Sequence, residues 1–464
     1  MKATVDKTYL FEQMPVKQAV LKQILPSIAS QMVVLLYNLA DTYFVGMLND
    51  PRQTAAVTVV SFAFTLMTAI ANLFGVGGAS RIAQSLGKHD PVAAKQISSI
   101  AIWFGLAVSV LFSMLFRVLA SPVLRICGAT EDTYRIAFDY AKWVIIVGGP
   151  GTILNVLLSN LVRAEGNALV ASVGVSLGGV LNIILDPFFI LPQFLNMEAG
   201  GAGLATAVSN YAGTIFLLFC IFSKRRTSVL RMDLKHLRRT GTHIGSIMKI
   251  GIPSAVQYAL TVVAVVALMK FTSGYSTEAL AALGIVRKLD LLPLYFAIGT
   301  ANGMLPLLSY NFASGDRHRR RKVFSFGAKV SLGFSVLCLL CYELFAPALI
   351  GLFINDPATI AYGSRFLRIM VVAMPMMSVC YPMIIQFQSM GRVKESLICS
   401  IIRKGVIDIP ILFLMNMLIP LYGCVMVQPI VDFIAMIVAL YFYKKISDEE
   451  NLKLSDAEHQ QTTI

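Results

Sequence analysis

About a dozen stretches of roughly 20 apolar residues, parted by short polar breaks, run through the chain between residues 22 and 443. A helix rises about 1.5 Å per residue, so each stretch is long enough to cross roughly 30 Å of hydrocarbon. The spans read at 22 to 46, 55 to 79, 95 to 120, 137 to 161, 168 to 192, 201 to 223, 247 to 271, 279 to 309, 323 to 349, 360 to 389, 395 to 418 and 420 to 443. With 56% apolar residues, 14% charged and a mean hydropathy of +0.72, a soluble core under a polar surface is excluded. The expected fold class is all-α: a polytopic membrane protein of 12 transmembrane helices.

The formal charge of +14 does not point to nucleic acid, because the basic residues sit in alternate loops rather than on one face. Lys2, Lys7, Lys17 and Lys22 open the chain, the next loop holds only Arg52, and the one after holds Arg81, Lys88 and Lys95. Arg125 and Arg135 blunt the contrast in the third interspan region, where Glu131 and Asp132 offset them in part. The segment 224 to 249 then carries eight Lys and Arg and 315 to 322 carries five, whereas 193 to 200, 350 to 359 and 419 to 422 carry none. The positive-inside rule places both termini and the central loop in the cytoplasm of a cell containing an inner membrane. Residues 1 to 21 are polar and lack the apolar core of a signal peptide.

Several chemistries find no residues to carry them. The seven cysteines lie in or beside apolar segments, so no extracytoplasmic disulfide framework is expected, and Cys338 and Cys341 share a helix face as small apolar side chains. All five histidines fall in loops or the tail, which leaves a His-based proton relay without members. No G-x-x-x-x-G-K-[ST] sequence is present to bind ATP, and no His or Cys cluster suggests a membrane enzyme or a cofactor.

The chain repeats itself. Lys22, Pro26 and Ser27 match Lys249, Pro253 and Ser254; then Gly87 matches Gly315, Pro150 matches Pro375, and Gly166 matches Gly391, in one order and about 220 to 230 residues apart. Each half holds six spans, an even number, so the repeats are parallel and the two lobes are related by an axis along the membrane normal. The division expected is a lobe at 1 to 223, a basic linker at 224 to 246, a lobe at 247 to 443 and a cytoplasmic tail at 444 to 464. A substrate cleft belongs between the lobes.

An ionisable group at membrane depth costs several kcal/mol, so each one calls for a partner or a job. Asp290 follows Arg287 by three residues and Asp408 follows Lys404 by four, spacings that close intrahelical pairs; Asp432 has Arg403 or Lys404 within reach on the adjacent span, and its role stays open. Asp41 and Asp186 have no cation three or four residues away. Counted from the starts of their spans, they reach similar depth toward the external side, with Asn182 one turn below Asp186 and Thr206 returning to the same level. Such a group makes either a sodium cage of hard oxygens, Asp41, Asp186 and Asn182, or a shared-proton pair. The competing reading is that the acids bond to backbone freed at a kink such as Asp186-Pro187. The Met-rich segments 369 to 390 and 411 to 426 read as lipid-facing packing rather than the lining of an adaptable cleft.

The segments "LYNLADTYFVG" (36 to 46), "LVRAEGNA" (161 to 168), "NIILDPFFI" (182 to 190), "GGAGLATAVS" (200 to 209) and "QPIVD" (428 to 432) resemble those of the multidrug and toxic-compound extrusion (MATE) family over residues 15 to 443. The resemblance implies two six-helix bundles and export of small, cationic or amphipathic organic compounds driven by H+ or Na+, with no cofactor. It also implies a coupling role for Asp41, Asn182, Asp186 and Thr206, supporting roles for Asn155 and Tyr37, and a bend in the first helix at Pro26. The seventh span here, 252 to 271, lacks the carboxylate that some family members carry, which points to coupling in the first lobe and leaves the ion open. Partners are then small organic substrates and membrane lipid, with the chain acting as a monomer. The alternative is a flippase for lipid-linked precursors, whose cleft would carry several cations.

Overall fold

The computed structural model of the chain describes residues 8–48 and 50–462. The first half comprises α1 (Val16–Gly46), α2 (Pro51–Gly87), α3 (Pro91–Ile126), α4 (Glu131–Ala141), α5 (Gly149–Ala164), α6 (Ala168–Ile190) and α7 (Glu198–Ser223). The second comprises α8 (Thr240–Ser273), α9 (Thr277–Ala313), α10 (Arg317–Gly351), α11 (Pro357–Val371), α12 (Ala373–Ser389), α13 (Val393–Arg403), α14 (Asp408–Leu418) and α15 (Tyr422–Thr462). Among the described residues every regular element is helical, as the length of the apolar runs requires.

Three helices start on an Asp-Pro pair, at Asp50, Asp90 and Asp356. The aspartate caps backbone N–H groups that have no helical partner, as in the 2.9 Å bond from Ala93 N to Asp90 Oδ1, while the proline fills the first turn where no N–H is needed. The proposed repeat recurs in the backbone. Gly166 ends α5 with φ +85° and Gly391 ends α12 with φ +70°, the left-handed turn that closes a helix, and Pro150 and Pro375 both sit in the first turn of those helices. Gly87 and Gly315 part company: Gly315 has φ +81°, but in the first half His89 takes that conformation, and Gly87 packs on the Tyr310 carbonyl instead.

Among the described residues ten helical segments, α11 and α12 counting as one, are long and apolar enough to cross a membrane; α4 and α5, joined through a wide turn at Lys142–Val147, form an eleventh crossing bent by 48°. The expected span at 395 to 418 is broken, because the chain leaves helical geometry at Lys404 and turns at Gly405 with φ +116°. That break corrects the pairing of Asp408. With no continuous helix between them, Asp408 accepts the Gly405 N–H at 2.5 Å and Lys404 donates to Gln428 at 2.7 Å. Asp290 and Arg287 lie within electrostatic range but form no contact of 4.0 Å or less. The methionines at 370, 374, 377 and 383 are buried inside the second half rather than facing lipid, since α11 and α12 run through its interior; Met417 is 81% exposed.

The halves meet tightly at one end. A Cβ at Gly251 of α8 would stand 1.8 Å from the Leu73 carbonyl oxygen of α2, and one at Gly77 of α2 would stand 2.1 Å from that of Ile247, so the two glycines let these backbones touch. Ser80 and Ser309 share a hydroxyl bond of 3.1 Å beside them, and Gln84 donates to the Ser389 carbonyl at 2.8 Å. The segment Tyr9–Gln13 lies across this end, with Phe11 stacked on Tyr310 at 4.6 Å and Arg319 donating to the Met14 carbonyl at 2.7 Å. The linker is pinned there too: Glu165 accepts from Ser228 Oγ at 2.8 Å, and Trp103 Nε1 donates to the Met232 carbonyl at 2.9 Å. Within α15, Glu450 accepts from Arg320 at 2.6 Å and pairs with Arg317 at 3.0 Å. At the opposite end the halves diverge around an opening of about 670 Å³ lined by Thr42, Tyr43 and Met47 on one side and Lys288 and Phe353 on the other.

Candidate functional site

A cavity of about 330 Å³ lies inside the first half and reaches Tyr258, Tyr295 and Asn302 of the second. Its wall is rich in amides contributed by α1, α2, α5, α6, α7 and α9. Tyr37, Asn155, Asn182 and Thr206 all line it, whereas Asp41 and Asp186 stand behind that layer.

Spacing of four residues puts Asn182 and Asp186 on one face of α6. Asn182 Nδ2 donates to Asp186 Oδ1 at 3.3 Å and to Thr206 Oγ1 at 3.3 Å, tying α6 to α7. Gly179, one turn before Asn182, lets α1 close in, since a Cβ there would be 2.6 Å from Val33 and 3.1 Å from the Tyr37 ring. That approach brings the α1 residues Tyr37 and Asp41 to the α6 face: Asp41 lies within electrostatic range of both Asp186 and Tyr37, and Tyr140 within range of all three.

Asp186 is fully buried, yet its Oδ2 has no hydrogen-bond partner; Asp41 Oδ1 and Asn182 Oδ1 are likewise buried and unpartnered. Neither carboxylate has a cation within 4.0 Å among the described residues. The bond to backbone at the Asp186-Pro187 kink is not formed, so that explanation of Asp186 fails. Native interiors leave few such atoms, and these three are hydrogen-bond acceptors that receive no hydrogen bond, which leaves them open as hard ligands. Two carboxylates and an amide suit Na+ by ligand hardness, and two neighbouring acids equally suit one shared proton.

Other expected residues join less closely. Asn155 reaches the Asn210 carbonyl at 3.5 Å rather than the acids, and Pro26 lies inside an unbroken α1. The acids of the second half are treated differently. Asp432 pairs with Arg403 at 3.1 Å, both 1% exposed, Gln428 donates to its other oxygen at 2.5 Å, and the Arg403 guanidinium lies 4.1 Å from the Tyr381 ring. Tyr140, Tyr258 and Tyr295 were not singled out by sequence, because contacts between helices distant in the chain leave no local pattern. Arg163, inside the "LVRAEGNA" segment, also lines the cavity, although its place at a helix end gives no local sign of this.

A bundle of apolar helices in two halves, shut at one end and parted at the other around a polar cavity, defines a two-lobed polytopic membrane protein. A family model described as MatE matches residues 26–188 and again 253–414, and the chain belongs to that family of multidrug and toxic-compound extrusion transporters. The multidrug export protein MepA of Staphylococcus saprophyticus is 28% identical over 443 residues, covering 96% of this chain and 97% of its own. MepA of Staphylococcus aureus strain MRSA252 is 27% identical over 451 residues, covering 97% and 98%. Among solved structures, an outward-facing multidrug resistance MATE transporter aligns with a TM-score of 0.88 at 23% identity, covering 96% of this chain and 98% of that one. A MOP superfamily transporter from Pyrococcus furiosus, described as having a binding pocket of reversed polarity, aligns with a TM-score of 0.87 at 24% identity, covering 95% and 98%.

Proposed function

We propose that the chain is a secondary active antiporter of the cell (inner) membrane that exports small, cationic or amphipathic organic compounds in exchange for H+ or Na+ by alternating access. The observation that carries this reading is the trio of buried, unpartnered oxygens on Asp41, Asp186 and Asn182 behind the cavity wall. A site that holds uncompensated negative charge in one half is stabilised by a cation arriving from outside, and losing that cation to the other side couples the gradient to the change of access. Thr206 orients Asn182, Tyr37 and Asn155 form the wall between ion and cargo, and Pro26 supplies a point where α1 bends. The sealed end carries the basic linker, the segment Tyr9–Gln13 and the stretch of α15 around Glu450, so the positive-inside rule favours the cytoplasm for it.

The export reading draws support from the names of the MepA relatives, and the division into lobes at 1 to 223 and 247 to 443 from the doubled family match. A monomer suffices, because each chain contains its own cavity. A flippase for lipid-linked precursors would present several cations to its cleft, and among the described residues lining this one only Arg163 is charged. The test is dye counterflow in proteoliposomes under an imposed proton or sodium gradient. Wild-type protein is expected to move dye under one gradient and Asp41→Asn under neither; unchanged transport by the variant, at equal protein level, would remove the coupling role.

A further inference from the structure

Where the chain leaves α7 and turns into the linker, a groove of about 260 Å³ opens between α3, the end of α7 and the linker itself. Hydrogen bonds from α3 fix its shape: Arg231 N donates to Ser98 Oγ at 2.9 Å, Ser99 Oγ donates to the Arg231 carbonyl at 2.9 Å, and Trp103 Nε1 donates to the Met232 carbonyl at 2.9 Å. Trp103, Phe222 and Leu230 give the groove apolar walls, and Arg225 and Arg231 line it as well. Asp233 pairs with Arg225, whereas the Arg231 guanidinium donates to the Leu230 carbonyl at 2.9 Å and has no carboxylate within 4.0 Å among the described residues. Around it the imbalance grows, since residues 224 to 239 hold seven Lys and Arg against the single acid Asp233.

We propose that this groove binds an anionic phospholipid of the cytoplasmic leaflet, with the phosphate on Arg231 and the upper part of an acyl chain against Trp103 and Phe222. The course of the acyl chain is set by α7. Ile215, Phe219 and Phe222 are exposed and stand four and three residues apart, so they form one stripe for hydrocarbon to cover, and the stripe ends at the groove. An indole ring settles where hydrocarbon gives way to headgroups, which is the depth at which an adjacent guanidinium meets the phosphate layer with a fork of donors matched to it. A zwitterionic lipid would bring its own cation against the basic linker, and a free phosphate would leave the apolar walls uncovered. The inference goes beyond the export reading: it needs the chain to lie in a membrane with this end in the cytoplasm, and nothing in it depends on what is carried.

The chain has two tryptophans, Trp103 and Trp143, so Trp143→Phe leaves Trp103 as the sole indole. That full-length protein, reconstituted in mixed vesicles of phosphatidylcholine and phosphatidylglycerol with one lipid or the other brominated high in its acyl chains, reports by quenching which lipid stands beside the groove. Phosphatidylglycerol should be preferred about fivefold, the share of one arginine at a membrane surface. Arg231→Gln should remove most of that preference, while Lys235→Gln, which takes the same charge from an exposed position outside the groove, should keep it. Quenching by brominated phosphatidylcholine should stay the same in both variants, as it does only where the fold and the access of lipid are retained. Equal quenching by the two lipids, quenching by neither, or equal losses from the two substitutions overturns the site, the last because diffuse surface charge then accounts for the preference. Loss of the preference on adding millimolar inorganic phosphate at constant ionic strength would assign the groove to a free anion and overturn the lipid.

Discussion

The seam between α2 and α8 sets how firmly one end of the molecule is shut, and a single methyl group tests it. In Gly251→Ala the new Cβ would lie 1.8 Å from the Leu73 carbonyl oxygen and 2.6 Å from its carbon. Carbon and carbonyl oxygen settle at about 3.3 Å even in close helix contacts, so the two backbones must part by about 1.5 Å. The obstacle is main chain on a helix, which cannot swing aside as a side-chain tip does. Overpacking of this kind costs about 1–3 kcal/mol, and because the clash exists only while the seam is closed, the cost falls on the closed state alone. The closed-to-open ratio should drop by about 5- to 150-fold. A cysteine placed at Ser80, fully buried beside the seam, reports it in a background lacking the seven native cysteines. Maleimide labelling of Ser80→Cys should accelerate by that factor when Gly251→Ala is added. An unchanged rate in folded protein would refute the view that backbone contact at these glycines holds the end shut.

Three further outcomes follow from other contacts. Asn182→Ala removes the amide that joins Asp186 to Thr206 and should raise the half-saturating concentration of the coupling ion by about 10- to 100-fold in proteoliposome flux, and an unaltered ion dependence would exclude its orienting role. Arg403→Gln strands Asp432 in a site 1% exposed and should destabilise the protein by about 3–5 kcal/mol in thermal unfolding, with Asp432→Asn in the same chain recovering much of the loss. Gly391→Ala forces a side chain to φ +70° where no atom lies within 4 Å, so the loss should be the conformational cost alone, about 1–2 kcal/mol by the same assay.

Where a physical rule acts along the chain, the sequence was readable. The crossings follow from the length of the apolar runs, and the assembly of Asp186, Asn182 and Thr206 follows from helical spacing and from counting depth along neighbouring spans. Gly166 and Gly391 could be matched because each must supply the same left-handed turn. The break at Lys404–Ile407 was hidden, since a lone glycine in an apolar run reads as tolerated helix, and the pairing assigned to Asp408 failed with it. Arg163 escaped notice for a related reason. Basic residues are common where a helix leaves the membrane, and nothing local distinguishes one that lies against solvent from one folded inward to a cavity.

The last helix, Tyr422–Thr462, has 41 residues and is therefore about 60 Å long, twice the thickness of the hydrocarbon it crosses. Half of it stands clear of the bilayer as a mast, and Arg317 and Arg320 of α10 grip it at its foot through Glu450. A rocking of the second half by about 20° would sweep the tip through about 10 Å, so a dye at the carboxyl end would magnify a motion that is small where the cargo sits.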